Sequence, residues 1–303
     1  MRSPIKYYGG KHWLSKVIVP LIPSHTTYIE PFFGGGNVFF CKRQSPMEII
    51  NDLADNIYAL FKTISDKDAL QRLQERLELT PYHEKIREEY KELLKQSEDC
   101  TGKPITDEDR AYYYLYVSRS SFNGVGGFSV TRTLRHGMIR PVYDYLSMIN
   151  HLSEVHTRLR NAVVMHRDAL DIIGKDTYGQ DTFMYLDPPY VTETRKSNQK
   201  YMVEMTDDDH RRMLDLCIAS KAKICISGYD HSIYDVLEEN GWQKMSMKTI
   251  NAKYDAIETV WINYPIEYRG NDLSEIERHP YKGLELNYPP AKSGGLQVLT
   301  NET

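Results

Sequence analysis

Cysteine is scarce: four residues in 303, at positions 41, 100, 217 and 225. None forms a CxxC pair and the spacing is no disulfide framework, so zinc ribbons, redox motifs and stapled mini-folds are excluded. The thiols are expected to be reduced and structural. The ten histidines form no HxxxH or HExxH pattern, and no metal is expected. No apolar run reaches the roughly 18 residues that cross a bilayer. The opening "MRSPIKYYGGKHWLSK" has no apolar signal core, so a cytoplasmic protein that engages no membrane is expected. Internal repeats and low-complexity tracts are missing, which excludes solenoids. Charge is also nearly balanced, at −4 overall.

That balance hides an asymmetry. Between Val117 and Arg167 stand seven arginines (Arg119, Arg132, Arg135, Arg140, Arg158, Arg160, Arg167) against only Asp144 and Glu154. Such a local excess inside an acidic chain is a candidate polyanion surface. A solvated basic face of no function would carry the same charge.

The pattern of the chain is α/β at both ends. "TTYIEP" (26–31) reads as a strand, "FFGGG" as a glycine turn and "NVFFCKR" as a helix. "MEIIND" (47–52) and "LADNIYALFKTI" repeat the unit, and β-α-β-α is the signature of a parallel sheet. Residues 66–97 then read as two charged amphipathic helices broken at Thr80-Pro81. A third helix covers "DEDRAYYYLYVSRS", with Thr106 as N-cap. The Gly-, Ser- and Arg-rich stretch 118–141 reads as loop or hairpin, and a helix near 143–160 follows. From 161 the α/β rhythm resumes, with a Thr206-capped helix, Gly241 closing another, and two final strands without a helix between them. The expected division is a first catalytic half (1–64), an insert (65–160), a second half (161–265) and a polar tail (266–303). The insert suits a specificity module, or a helical cap with a purely structural role.

"TFMYLDPPYV" (182–191) ends an apolar strand in an acid, two prolines and a tyrosine. Prolines stop strands, so a simple turn is one reading. A rigid polar platform at the carboxyl end of a central strand, where open α/β sheets bind ligands, is the other. "EPFFGGG" lets the backbone turn sharply and approach a ligand closely, in a spacing that is not GxGxxG. Asp52, ending the second strand, can accept hydrogen bonds from a ribose or can cap the helix that follows; Asp55 is its near competitor. Asp168, after "NAVVMH", stands at the start of "ALDII", where a helix N-cap would also stand.

Four patterns in order, "SPIKYYGGK" (3–11), "YIEPFFGGGNVF" (28–39), "IINDLADNIYALF" (49–61) and "DPPY" (187–190), resemble the Dam-type DNA adenine-N6 methyltransferases. "SFNGVGGFSV" (121–130), "ISGYD" and "ETVWIN" extend the resemblance to about residues 3–265. It implies a Rossmann-like class I methyltransferase sheet of about seven strands, one antiparallel, with an inserted, mostly helical target-recognition domain. It implies S-adenosylmethionine as methyl donor. Its ligands would be Tyr7 (where the family has tryptophan), Lys11, Glu30, Pro31, Phe32, Gly34, Gly36, Asp52, Asp168 and Asp187. Asp187, Pro188, Pro189 and Tyr190 would be catalytic on a flipped-out adenine of double-stranded DNA. Arg119, Asn123, Arg132 and Arg135 would lie at the DNA, with Asn123 at a base step. A monomer is expected, with a cognate restriction endonuclease as a candidate partner. The chain departs from the family's pattern around 124–141, which leaves the recognition sequence open. Cytosine-N4 methylation, methylation of an amine in RNA or protein, and a DNA-binding protein without activity are the alternatives.

Overall fold

A computed structural model describes residues 1–7, 12–124, 126–194, 202–251, 254–265 and 286–287. The elements run α1 (His12–Leu21), β1 (Thr27–Glu30), α2 (Asn37–Cys41), β2 (Met47–Asn51), α3 (Asp55–Ser65), α4 (Lys67–Glu78), α5 (Glu84–Glu98) and α6 (Asp107–Ser120). Then come β3 (Leu134–Arg135), β4 (Met138–Ile139), α7 (Arg140–Leu159), β5 (Ala162–Met165), α8 (Ala169–Ile173) and β6 (Thr182–Leu186). The chain continues through α9 (Asp207–Ala219), β7 (Lys223–Tyr229), α10 (Asp235–Glu239), β8 (Gln243–Asn251), β9 (Tyr254–Ile262) and β10 (Leu286–Asn287).

The main sheet has the order β10-β8-β9-β7-β6-β1-β2-β5. β5, β2, β1, β6 and β7 are parallel, and β9 runs antiparallel to both β7 and β8. One strand exceeds the expected seven: β10, from the stretch read as tail, adds an antiparallel edge on β8. Two-residue pairing of this kind has no sequence signal of its own.

Strand alternation splits the core in two. Tyr28, Ile50, Phe183 and Tyr185 face one helical layer, while Ile29, Ile49, Met184 and Leu186 face the other. Both faces are buried, which is why these strands read as unbroken apolar runs. Helices α8, α9 and α10 cover the second face. The first is covered by α1–α3 and, in the same contiguous cluster, by Leu70, Leu77, Tyr112, Leu115, Tyr145 and Leu152 of the insert. The apolar stripes of the insert thus continue the core of the sheet.

Caps set the helix starts as the sequence implies. Thr106 Oγ1 accepts the Asp109 N–H at 3.1 Å, and Thr206 with Asp209 forms a reciprocal capping box before α9. The β3–β4 hairpin turns at His136 and Gly137, both with positive φ (49° and 77°), as a two-residue primed turn requires.

β1 pairs with β2 on one side and β6 on the other, so the chain's direction of winding reverses between β1 and β6. The glycine turn leaves β1 and Asp187-Pro188-Pro189-Tyr190 leaves β6 at the carboxyl ends of that pair. Open sheets place ligands at this switch point.

Candidate active site

A cavity of about 260 Å³ opens at the switch point. Its wall includes Tyr7, Glu30, Pro31, Phe32, Gly34, Gly36, Asp52, Asp168, Asp187 and Pro189, so most of the residues singled out in the sequence converge on one space. Lys11 lies outside the described residues. Pro188 and Tyr190 are buried beside the cavity and are not on its wall.

Backbone geometry builds the floor. Gly34 and Gly36 have φ of 46° and 61°, values that disfavour a side chain. A Cβ on Gly34 would also meet the Tyr7 ring at 2.7 Å. The turn therefore brings bare backbone to the cavity with Tyr7 packed across it. Asp52 pins the turn: its Oδ2 accepts the Gly34 N–H at 2.6 Å, and its Oδ1 accepts the Ala54 N–H at 2.9 Å. Asp168 caps α8 through the Leu170 N–H (2.9 Å) and also lines the cavity.

Asn51 fastens these loops together. Its amide donates to the carbonyls of Pro31 (2.9 Å) and Arg167 (3.0 Å) and accepts the Arg167 N–H (2.9 Å). The loops after β1 and β5 are thus tied to the end of β2 by one buried side chain.

On the other wall, Asp187 Oδ1 accepts hydrogen bonds from Ser227 Oγ (3.1 Å) and Tyr190 Oη (3.3 Å). The Tyr190 ring packs on Tyr229, with centroids 4.7 Å apart. Glu30 is almost fully buried, and burial pushes its carboxyl up to about 8 although the Tyr28 hydroxyl donates to it at 2.7 Å; the nearby Asp187 charge pushes the same way. Glu30 accordingly keeps its proton at neutral pH and adds no second negative charge beside Asp187. Asp52 is closed in by protein except toward the cavity. This desolvation raises its carboxyl to about 6 against the pull of the Ala54 and Gly34 N–H groups.

Six acids line the cavity, and among its described lining residues there is no lysine, arginine or histidine. With the apolar faces of Phe32, Leu53, Leu170 and Met205, that donor set suits an amphipathic cation bearing hydroxyls. S-adenosylmethionine has this character, so the residues present fit it. Val203, Glu204, Met205 and Asp209 also wall the cavity. They follow the Asp187 loop and precede or open α9 without any motif, and sequence reading missed them.

About the insert, Asn123 is exposed with φ 51°, and Arg132 and Arg135 are exposed on and before the hairpin. Phe122, Val130, Leu134 and Ile139 are exposed apolar neighbours that the sequence reading did not pick out. Arg119 is half-buried. One guanidinium nitrogen donates to the Asp144 carbonyl (2.9 Å), and Nε is buried without a hydrogen-bond partner among the described residues. This bond braces the first turns of α7. Buried Arg87 holds the loop behind Asn123 by donating to Ser121 Oγ (3.0 Å) and to the Gly126 carbonyl.

The sequence matches the family model of D12 class N6 adenine-specific DNA methyltransferases over residues 7–255. It is 26% identical over 198 residues to the type II methyltransferase M.CviBI of Paramecium bursaria Chlorella virus NC1A, covering 63% of this chain and 69% of that one. It is 25% identical over 236 residues to the type II methyltransferase M.MjaIII of Methanocaldococcus jannaschii (69% and 76% covered). A DNA adenine methylase of Salmonella typhi is 21% identical over 239 residues (77% and 82% covered).

Proposed function

The chain belongs to the D12 class N6 adenine-specific DNA methyltransferases, and from that membership we propose how its residues divide the work of methylating adenine N6 in double-stranded DNA. The observation that carries the reading is the Asp187 carboxylate, set at the carboxyl end of β6 in the same cavity as the β1 glycine turn and Asp52.

S-adenosylmethionine, when bound, supplies an electrophilic methyl group on a sulfonium. Asp52 would accept from its ribose hydroxyls, Asp168 would meet its adenine amino group, and Tyr7 with the backbone of Gly34–Gly36 would hold the remainder. The target N6 lone pair is delocalised into the ring and is a weak nucleophile. Asp187 accepts one N6 hydrogen and the Pro188 carbonyl the other. Two acceptors at fixed angles favour a pyramidal nitrogen and so assist the transition state more than the ground state. Proline fixes φ near −65° and holds that carbonyl still. The proton leaves after methylation, when the nitrogen is acidic, so Asp187 need not be a strong base. Tyr190, held by Asp187 and Tyr229, supplies the aromatic edge of the base site.

The adenine must leave the stack, at a cost of a few kcal/mol. Arg132 and Arg135 offset part of this through phosphate contacts, and Asn123 with Phe122 meets the base step. One flipped base needs one protomer. The type II names of the relatives favour a restriction-modification setting with a cognate endonuclease. The test is nucleoside mass spectrometry on unmethylated duplex DNA incubated with protein and S-adenosylmethionine. N6-methyladenine is expected; N4-methylcytosine, or no modified base, would overturn the reading.

Two expectations follow for the separate ligand sites. Arg132→Ala and Arg135→Ala each lower DNA affinity and reduce the slope of log affinity against log salt by about 0.9 for each phosphate no longer neutralised. The dissociation constant for S-adenosylmethionine stays unchanged; an equal weakening there would refute the assignment. The second concerns pH. Because the Asp52 carboxyl is raised to about 6, the ionised acceptor is lost as pH falls through that value. Cofactor affinity should weaken about tenfold per pH unit below 6, and Asp52→Asn should flatten the profile. The free protein responds in the opposite sense. Its folded state holds the Asp52 proton longer than the unfolded chain does, so stability falls as pH rises from about 4 to about 6.

A further inference from the structure

The cofactor and DNA assignments leave one buried chain of hydroxyls without a role. Ser227, on β7 and fully buried, donates its single hydrogen to Asp187 Oδ1 at 3.1 Å. Tyr185 Oη, on β6 and 3% exposed, lies 2.8 Å from Ser227 Oγ. With the serine hydrogen committed to the carboxylate, the tyrosine must be the donor in that second bond. Tyr190 adds a longer donor to the same oxygen, at 3.3 Å. The relay runs along the paired ends of two central strands, where Leu186 stands opposite Ile226.

We propose that Ser227, backed by Tyr185, is a positioning residue that fixes the orientation of the Asp187 carboxylate toward the adenine amino group. The proposal rests on the reading of Asp187 given above. A carboxylate on a short side chain has two freedoms, its χ1 and the rotation of its plane. A catalytic acceptor must hold both within a narrow range. Donors gathered on Oδ1 restrict the plane, and the tyrosine behind Ser227 restricts the serine rotor. Ser227 is sealed in the core, and Tyr185, itself nearly buried, reaches it from the wall of the cavity. Other groups that face Asp187 are Glu30 from β1, Cys225 on β7 and Tyr234 before α10. These three feel Asp187 through its charge, whereas Ser227 engages it through a directed hydrogen bond.

The experiment uses the full chain with unmethylated duplex DNA and S-adenosylmethionine, comparing wild type, Ser227→Ala, Ser227→Cys and Tyr185→Phe. Formation of N6-methyladenine by the wild type first establishes the parent reading, and its failure there is distinct from anything the variants do. Ser227→Ala is expected to lower kcat about 10- to 100-fold, the range for a hydrogen bond to a charged group. KM for the cofactor and the DNA dissociation constant should stay within about twofold of wild type. The acid limb of kcat should move to higher pH, because losing a donor disfavours the ionised carboxylate. Tyr185→Phe should shift both quantities in the same direction by less, and Ser227→Cys, a weak donor of similar size, should recover part of kcat. An unshifted acid limb, or a kcat loss matched by an equal loss of cofactor affinity, would overturn the proposal. If Ser227→Ala fails to fold, Tyr185→Phe carries the same test, since it removes only an oxygen.

Discussion

Asp187→Ala is expected to reduce methyl transfer by about 10³-fold or more while cofactor affinity stays within about tenfold of wild type. The asymmetry follows from what the carboxylate touches. It is one of six acids around the cavity, so a cationic ligand loses a single favourable charge. The adenine amino group loses an acceptor that has no substitute. Asp187→Asn should be nearly as damaging. Ser227 and Tyr190 both donate toward Oδ1, so they select the amide oxygen for that side. The amide nitrogen is then turned toward N6, donor against donor. Single-turnover rates with labelled cofactor, beside calorimetric affinities, would settle this. A residual rate in Asp187→Ala above a tenth of wild type would remove Asp187 from its catalytic role.

The lesson for sequence reading lies in which residues were visible. The strand ends at Glu30, Asp52 and Asp187 were legible because each closes an apolar run that alternation makes two-faced. The caps at Thr106 and Thr206 were legible because a hydroxyl followed three residues later by an acid has a local physical meaning. α1 was not, since it follows a glycine pair and contains Pro20, features that argue against a helix. Burial was not legible either. Arg119 and Arg132 look alike in sequence, yet one braces α7 and the other is exposed. Nor could an amphipathic stripe declare which core it joins, and so the insert was read as a separate unit although Leu70 and Tyr112 continue the core under the sheet. Ser227 lies far along the chain from Asp187, and only the parallel register of β6 and β7 brings them together.

That shared core holds a buried ionic junction, and its removal should cause a large loss of stability. Glu48 of β2 is fully buried. It accepts from Lys42 Nζ, from both terminal nitrogens of Arg158 and from the Ser45 N–H at 3.0 Å. Arg158 belongs to α7 of the insert and lies 3.6 Å over the Phe39 ring, while Lys42 lies 4.1 Å over Tyr28. Burial alone would raise the Glu48 carboxyl, but the Arg158 and Lys42 donors outweigh it and hold it below its ordinary value. Its contribution is therefore present above the usual glutamate range and is lost as pH falls below it. Glu48→Leu leaves two buried cations without their anion and should cost about 3–5 kcal/mol, a fall in Tm on the order of 10 °C. Adding Lys42→Met and Arg158→Met should restore much of that loss, because the stranded charges are then gone. If the triple variant is no more stable than Glu48→Leu, the junction acts through packing and shape, not charge. If it recovers and still methylates DNA, the insert registers on the sheet without the ion cluster, which then contributes no net stability.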